Sequence, residues 1–220
     1  MLIFLLHSFN LRRNDFILKA DIDIARDADI QTIPTIAAKL GIEDKYLEQY
    51  GKFKAKVDLS ITSVIRLLVL DFDGVMTDDR VIVCEDGKES VVCHRGDGLG
   101  IEMLKRAGRP ETIVISRERN PVVAVRCSKL GLQCCHGVED KLELLKRECE
   151  SRGLGADEVA YVGNDLNDLA CLKWVGMAIA VGDACPTVKD TCGFVTKAFG
   201  GDGAVREIAE WFVDSQRFFR

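Results

Sequence analysis

An α/β protein built on a parallel sheet is the fold class this sequence predicts, on three observations. From Val64 onward, short apolar runs alternate with helical stretches. The first run, Leu67-Leu68-Val69-Leu70, is apolar without interruption, as in a strand buried on both faces. It ends directly on Asp71-Phe72-Asp73-Gly74-Val75-Met76-Thr77-Asp78, so it delivers two carboxylates, two residues apart, to the C-terminal edge where open parallel sheets place their ligands.

The elements follow in order. After the Leu67–Leu70 strand, Arg80 to Cys84 and Ser90 to Cys93 flank Glu85-Asp86-Gly87-Lys88 as a β-hairpin. Gly98 to Arg106 carries Leu99, Ile101, Met103 and Leu104 at mainly helical spacing. Thr112 to Ile115, Leu132 to Cys135, Glu158 to Val162 and Met177 to Val181 read as further core strands. Asn120 to Leu130, Asp140 to Arg152, Leu166 to Trp174 and Ala204 to Phe212 read as helices.

Residues 1–62 differ in character and are expected to form a helical extension, leaving 63–220 as the main domain. Asp21 to Arg26 and Pro34 to Ile42 read as short helices, the second with Pro in its first turn. Glu43 to Gly51 repeats the helix-then-Gly pattern. Leu40-Gly41-Ile42 and Tyr50-Gly51-Lys52-Phe53-Lys54-Ala55-Lys56 make the stretch from about Asp21 to Asp58 resemble the N-terminal segment of formate–tetrahydrofolate ligases. That family carries a GxxxxGK[ST]-type phosphate loop soon afterwards, and this chain has none, so ligase activity is not implied.

Composition narrows the function. With 220 residues, 47% of them hydrophobic, the chain can bury a full core. A net charge of -5 with scattered Lys and Arg argues against a nucleic-acid or anionic-membrane partner. Nine cysteines without a CxxC pair read as reduced thiols, and the adjacent Cys134-Cys135 as part of a core strand. The opening Met1 to Leu6 is apolar for far less than the roughly 20 residues that span a bilayer, and it lacks a basic n-region, so a soluble, cytoplasmic protein is expected.

Asp71 with Asp73, Ser116, Lys141, and Asp165 with Asp168 recur at strand ends. Hydrolysis of a phosphate monoester needs an in-line nucleophile, neutralisation of the phosphoryl oxygens and a proton for the leaving oxygen. Asp71 is the candidate nucleophile, forming an aspartyl-phosphate. Asp73 is the candidate acid and base, its role depending on a pKa raised by neighbouring carboxylates. Asp71, the backbone carbonyl of Asp73, and Asp165 are oxygen donors suited to Mg²⁺. Ser116 would donate to a phosphoryl oxygen, and Lys141, at a helix start, would supply a cation. Asp168 would support Lys141 or the metal.

On these residues the chain resembles the haloacid dehalogenase superfamily of phosphohydrolases. Its four motifs are matched by Asp71 to Asp78, by Ser116, by Lys141 and by Gly163-Asn164-Asp165-Leu166-Asn167-Asp168, over Val64 to about Val213. The resemblance implies a Rossmann-like three-layer parallel sheet with a β-hairpin after the first strand. Too few residues separate Asp78 from Ser116 for a large cap domain. That is similar to the capless subgroup of 3-deoxy-octulosonate 8-phosphate and sialic-acid 9-phosphate phosphatases, in which the hairpin helps build a homotetramer whose neighbouring subunit closes the site.

His94-Arg95-Gly96-Asp97-Gly98-Leu99-Gly100-Ile101 resembles the subgroup's substrate-side loop, which makes Asp97 and Gly98 substrate-binding candidates. Gly200 to Glu207 resembles its C-terminal glycine loop. Glu118, Arg126 and Lys129 resemble the Glu, Arg and Lys that contact the leaving group in the nonulosonate branch. Arg126 and Lys129, three apart on a helix, could pair with a substrate carboxylate. The resemblance thus implies a Mg²⁺-dependent phosphatase acting on a nine-carbon 2-keto-3-deoxy sugar acid, with the eight-carbon 3-deoxy-D-manno-octulosonate 8-phosphate as the alternative. A reading from another class is a catalytically silent oligomerisation module of a sugar-nucleotide synthetase system. His94 reads as a loop residue without a role, His136 as structural or exposed, and Trp174 and Trp211 as core or interface anchors.

Overall fold

The computed structural model describes residues 31–39, 42–57 and 59–217, and the chain divides into two compact units after Asp58. The expected helix at Asp21 to Arg26 lies outside the described residues.

In the first unit, α1 (Ile33–Lys39) occupies the stretch expected to be helical, with Pro34 in its first turn. The Glu43 to Gly51 segment is not a helix. A single 3₁₀ turn at Asp44–Tyr46 leads into β1 (Leu47–Gln49), which pairs antiparallel with β2 (Ala55–Val57). Gly51, at φ +94°, lets the chain reverse, and the Tyr50 N–H closes the turn on the Lys54 carbonyl at 2.8 Å. Ladder pairing with a strand further along the chain overrides the local helical pattern.

The second unit carries a six-stranded parallel sheet. Its strands are β3 (Leu67–Leu70), β6 (Glu111–Ile115), β7 (Gln133–Cys135), β8 (Val159–Gly163), β9 (Met177–Ala180) and β10 (Phe194–Val195). Their spatial order is β10-β9-β8-β3-β6-β7. Chain progress therefore reverses at β3, whose neighbours are β6 and β8, and the crevice beyond its C-terminal end is the switch point where ligands bind in such sheets. Every residue of β3 and β8 is buried, because helices cover both faces. On one side α2 (Arg95–Ala107) packs against α3 (Val122–Leu130) and α7 (Ala204–Arg217). On the other α4 (Lys141–Arg152), α5 (Leu169–Trp174) and α6 (Pro186–Thr191) pack in succession.

Between β3 and α2 stands the antiparallel hairpin of β4 (Thr77–Val83) and β5 (Glu89–Cys93). It starts earlier than the sequence pattern indicates, with a register irregularity between Thr77 and Val81 and Asp79 at φ +62°. Val81, Ile82, Val83 and Val92 on this hairpin are all more than half exposed. The helix at Pro186–Thr191 and the two-residue β10 were not expected. Pro186 at the helix start is the signal that marks the former, and two residues are too few for any pattern to mark the latter. Cys134 and Cys135 lie on the sheet's edge strand and are only partly buried, so they are not core residues. Trp211 is buried, whereas Trp174 is partly exposed.

Two glycines fix how the loops above the switch point meet. Gly74 has φ +72°, and a Cβ there would fall 1.9 Å from Asn164 Nδ2. A Cβ on Gly200 would fall 1.9 Å from the Gly74 carbonyl oxygen, and Gly201 N–H donates to the Val75 carbonyl at 3.0 Å. The loop before α7 is thereby seated on the loop after β3, at a separation no side chain permits.

Candidate active site

Asp71 is the first residue beyond β3. Its backbone N–H donates to the Val162 carbonyl of β8, extending the ladder by one step, and the carboxylate is fixed on both oxygens. Oδ1 accepts the Phe72 N–H at 2.7 Å, and Oδ2 lies 2.8 Å from Lys141 Nζ. Lys141 opens α4, whose N-cap Asp140 accepts the Glu143 N–H at 3.0 Å. The same Nζ lies 2.8 Å from Asp168 Oδ1, and all three side chains are buried. Asp168 also accepts the Tyr161 hydroxyl at 2.8 Å on Oδ1 and the Asn164 N–H at 3.0 Å on Oδ2. The structure therefore joins Asp71, Lys141 and Asp168, which the sequence scatters across three strand ends, and adds Tyr161 and Asn164, which sequence reasoning did not single out.

Burial, followed by the charge of Asp168, pushes the Asp71 carboxyl up to about 7 against the pull of Lys141. Lys141 is raised: burial works against its charge, but Asp71 and Asp168 outweigh it. Asp73, half-buried beside them, is pushed up to about 6 by burial and then by Glu118 and Asp79, with Lys141 opposing. Ser116 is buried one residue beyond β6. Its Oγ accepts the Glu118 N–H at 3.0 Å, and its own N–H is held by the Cys135 carbonyl. Asp165 is exposed, its Oδ1 accepting the Leu166 N–H at 2.7 Å.

The expected substrate residues are found in different states. Glu118 is close enough to bear on Asp73, and its Oε1 accepts the Asn120 N–H at 2.6 Å; the Asn120 amide in turn reaches Glu89 of the hairpin at 3.1 Å. Asp97 is buried in the first turn of α2 and accepts the Arg206 N–H of α7 at 3.0 Å, so one of its oxygens is committed to tying the two helices. Its Oδ2 and the Nε of Arg126 are both buried without a hydrogen-bond partner among the described residues. Arg126 donates to the His94 carbonyl at 3.3 Å and lies against Gly98. Lys129 is exposed, as are His94 and His136.

Among the described residues no three His, Cys, Asp or Glu side chains converge as a metal cage. The expected Mg²⁺ donors are a different set, two carboxylates and a backbone carbonyl, all hard oxygens of the kind that ion takes alongside water. The charge at this edge fits a cation: Asp79 is raised by burial and then by Asp165, Asp183 and Asp78, which mirrors the crowding at Asp73. An acid whose folded pKa lies above its ordinary 3.8 destabilises the fold increasingly as pH rises from that value to the folded one, and fully above it. Asp73→Asn is therefore expected to raise the thermal midpoint of metal-free protein at pH 7.5 and leave it unchanged near pH 3.5. Discounted for partial exposure, the gain is about 1 kcal/mol, read from melts at the two pH values.

The family of haloacid dehalogenase-like hydrolases matches residues 125–208, and that of formate–tetrahydrofolate ligases matches residues 19–67. The 3-deoxy-D-manno-octulosonate 8-phosphate phosphatase KdsC of Escherichia coli K12 is 33% identical over 168 residues, covering 76% of this chain and 88% of that protein. A Streptomyces avermitilis chain described as a HAD family hydrolase is 47% identical, with a TM-score of 0.67 over 69% of this chain and 87% of that one. The Moraxella catarrhalis 3-deoxy-D-manno-octulosonate 8-phosphate phosphatase, solved with magnesium, phosphate and KDO, is 30% identical, with a TM-score of 0.70 over 73% and 92%. With its switch-point carboxylates and these relatives spanning most of their length, the chain belongs to the haloacid dehalogenase-like hydrolases and is a phosphoric monoester hydrolase.

Proposed function

We propose that this phosphatase removes the terminal phosphate of a 2-keto-3-deoxy sugar acid, a nonulosonate 9-phosphate such as a sialic acid or KDN phosphate, through an aspartyl-phosphate. The observation that carries the reading is the buried Lys141 ammonium, 2.8 Å from both Asp71 and Asp168, with the protonatable Asp73 beside it.

Asp71 attacks phosphorus, and the bond to the sugar oxygen breaks. Asp73, lifted to about 6, holds a proton well above the usual carboxylate range and gives it to the departing alkoxide. The same carboxylate then takes a proton from water as the water attacks the aspartyl-phosphate, which returns Asp71 and releases phosphate. Lys141 and the Ser116 hydroxyl face the charge on the phosphoryl oxygens. Asp71, the Asp73 carbonyl and Asp165 would hold Mg²⁺, which neutralises phosphate charge that these acids otherwise repel.

The acid end of the substrate is assigned to Arg126 and Lys129, and its hydroxyls to Glu118, Asp97 and Gly98. The guanidinium of Arg126, which reaches the His94 carbonyl at 3.3 Å and lies against Gly98, sits beside the segment of Asp97 and Gly98 and supports this. The exposed valines and isoleucine of the β4–β5 hairpin support assembly into a homotetramer. Among the described residues no helix is long and apolar enough to cross a membrane, and the net charge of -5 gives no support to a nucleic-acid partner; a cytoplasmic location is part of the proposal.

The eight-carbon reading, 3-deoxy-D-manno-octulosonate 8-phosphate, is favoured by the names of the relatives. Phosphate release from both sugar-acid phosphates, with and without Mg²⁺, separates the two. The nine-carbon substrate is expected to show at least about tenfold higher kcat/KM, a margin of the size one well-placed charged contact supplies. The reverse order selects the eight-carbon acid, and no release from either would overturn the sugar-acid assignment and send the search to other phosphate monoesters.

A further inference from the structure

We infer that Tyr161 is a positioning residue for phosphoryl transfer, holding Asp168 so that Asp168 in turn holds Lys141 against Asp71. The inference rests on the assignment of Asp71 and Lys141 made above. Tyr161 lies on β8 opposite Val69 of β3 and is completely buried. Its hydroxyl donates to Asp168 Oδ1 at 2.8 Å, the same oxygen that lies 2.8 Å from Lys141 Nζ, while Asp168 Oδ2 accepts the Asn164 N–H at 3.0 Å. One carboxylate thus collects donors from a core strand, from the loop after it and from α4.

The geometry makes the tyrosine the rigid part of that set. An ammonium has three donors, and two of those on Lys141 are committed to Asp71 and Asp168, so those two oxygens decide where the third points. A lysine stem is flexible; an aromatic ring packed in a core strand is not. Without the hydroxyl, Oδ1 of Asp168 keeps only the flexible partner, and its position is left to the Asn164 and Asp165 N–H groups that hold Oδ2 at 3.0 and 3.5 Å. The resulting displacement passes to Lys141, and misplacements on the scale of an ångström cost up to about a hundredfold in rate.

Tyr161→Phe keeps the ring and removes one oxygen. Assayed on the full chain with Mg²⁺, using 3-deoxy-D-manno-octulosonate 8-phosphate and in parallel an aryl phosphate, it is expected to lower kcat about tenfold, the size of effect of one hydrogen bond to a charged group. KM is expected to stay within about twofold, because Lys141 acts on charge that builds up during transfer. Cys171, whose thiol also lies beside the hydroxyl, serves as control, and Cys171→Ala should keep the wild-type kcat. In a cycle with Asp168→Asn, the double variant should turn over no more slowly than Asp168→Asn alone. Wild-type kcat in Tyr161→Phe, a loss confined to KM, or effects that multiply in the double variant would overturn the inference. If Asp168→Asn does not fold, the kcat and KM of Tyr161→Phe decide. Full activity in Lys141→Ala is a distinguishable result, since it overturns the site assignment instead.

Discussion

Asp71→Asn is expected to reduce turnover by at least about 10⁴, the scale on which removal of a nucleophile acts when the rest of a site stays in place. The substitution is nearly isosteric. Its one amide oxygen can take either the Phe72 N–H, which the aspartate accepts at 2.7 Å, or the Lys141 ammonium, and Lys141 keeps its contact with Asp168. The protein should therefore fold, with a thermal midpoint within a few degrees of wild type, since one charged contact among several is lost. Acid quenching during turnover of a phosphate-labelled substrate provides the direct measurement. Wild-type protein should carry label as an acid-stable, hydroxylamine-sensitive acyl phosphate, and the variant none. Label on the variant, or turnover near wild type, would place the nucleophile elsewhere.

Lys141→Ala should damage both activity and stability. Its side chain is 2% exposed and is the cation between two buried carboxylates. Removing it leaves like charges facing each other away from water, at a cost of about 3–5 kcal/mol near neutral pH. The sign with pH follows from the directions already seen. Burial and mutual repulsion raise the Asp71 carboxyl, and losing the lysine takes away the force that opposed them. The folded state of the variant then binds protons more tightly than the unfolded chain, so its stability recovers as pH falls and the acids neutralise. Urea unfolding at pH 8 and pH 5.5 should show a variant deficit that shrinks at the lower pH. Lys141→Ala combined with Asp168→Asn should recover part of the stability while kcat stays at least about 10³ below wild type, because the phosphoryl oxygens still lack their cation. A deficit independent of pH would mean that the lysine contributes packing rather than charge.

Much of this was legible in the sequence, for reasons that differ by element. The Leu67 to Leu70 run could be read because a strand covered on both faces has no polar phase to confuse it. The parallel order followed from the alternation of strand and helix signals. The stretch around Leu47 was misread because β1 is three residues long and is defined by its partner at Ala55–Val57, and a local pattern contains no information about a partner. The carboxylates, Ser116 and Lys141 stood out as residue types at strand ends. Their order along the chain could not say that Lys141 and Asp168, twenty-seven positions apart, share a hydrogen bond. Asp97 shows the opposite limit: a residue flagged for substrate spends one oxygen on the backbone of Arg206, a contact across 109 positions. Tyr161 gave no signal, since an aromatic residue in an apolar strand reads as core wherever its hydroxyl points.

Because β3 has a paired strand on either side, the backbone that carries Asp71 cannot loosen without tearing two ladders at once. Amide protons from Leu67 to Asp71 should therefore exchange with solvent only when the whole second unit opens, whereas those of the β4–β5 hairpin, a ladder of two strands, exchange through local fraying. On the proposed assignment, the carboxylate of Asp71 is anchored to the most slowly opening part of the second unit, while the hairpin that follows it in the chain breathes.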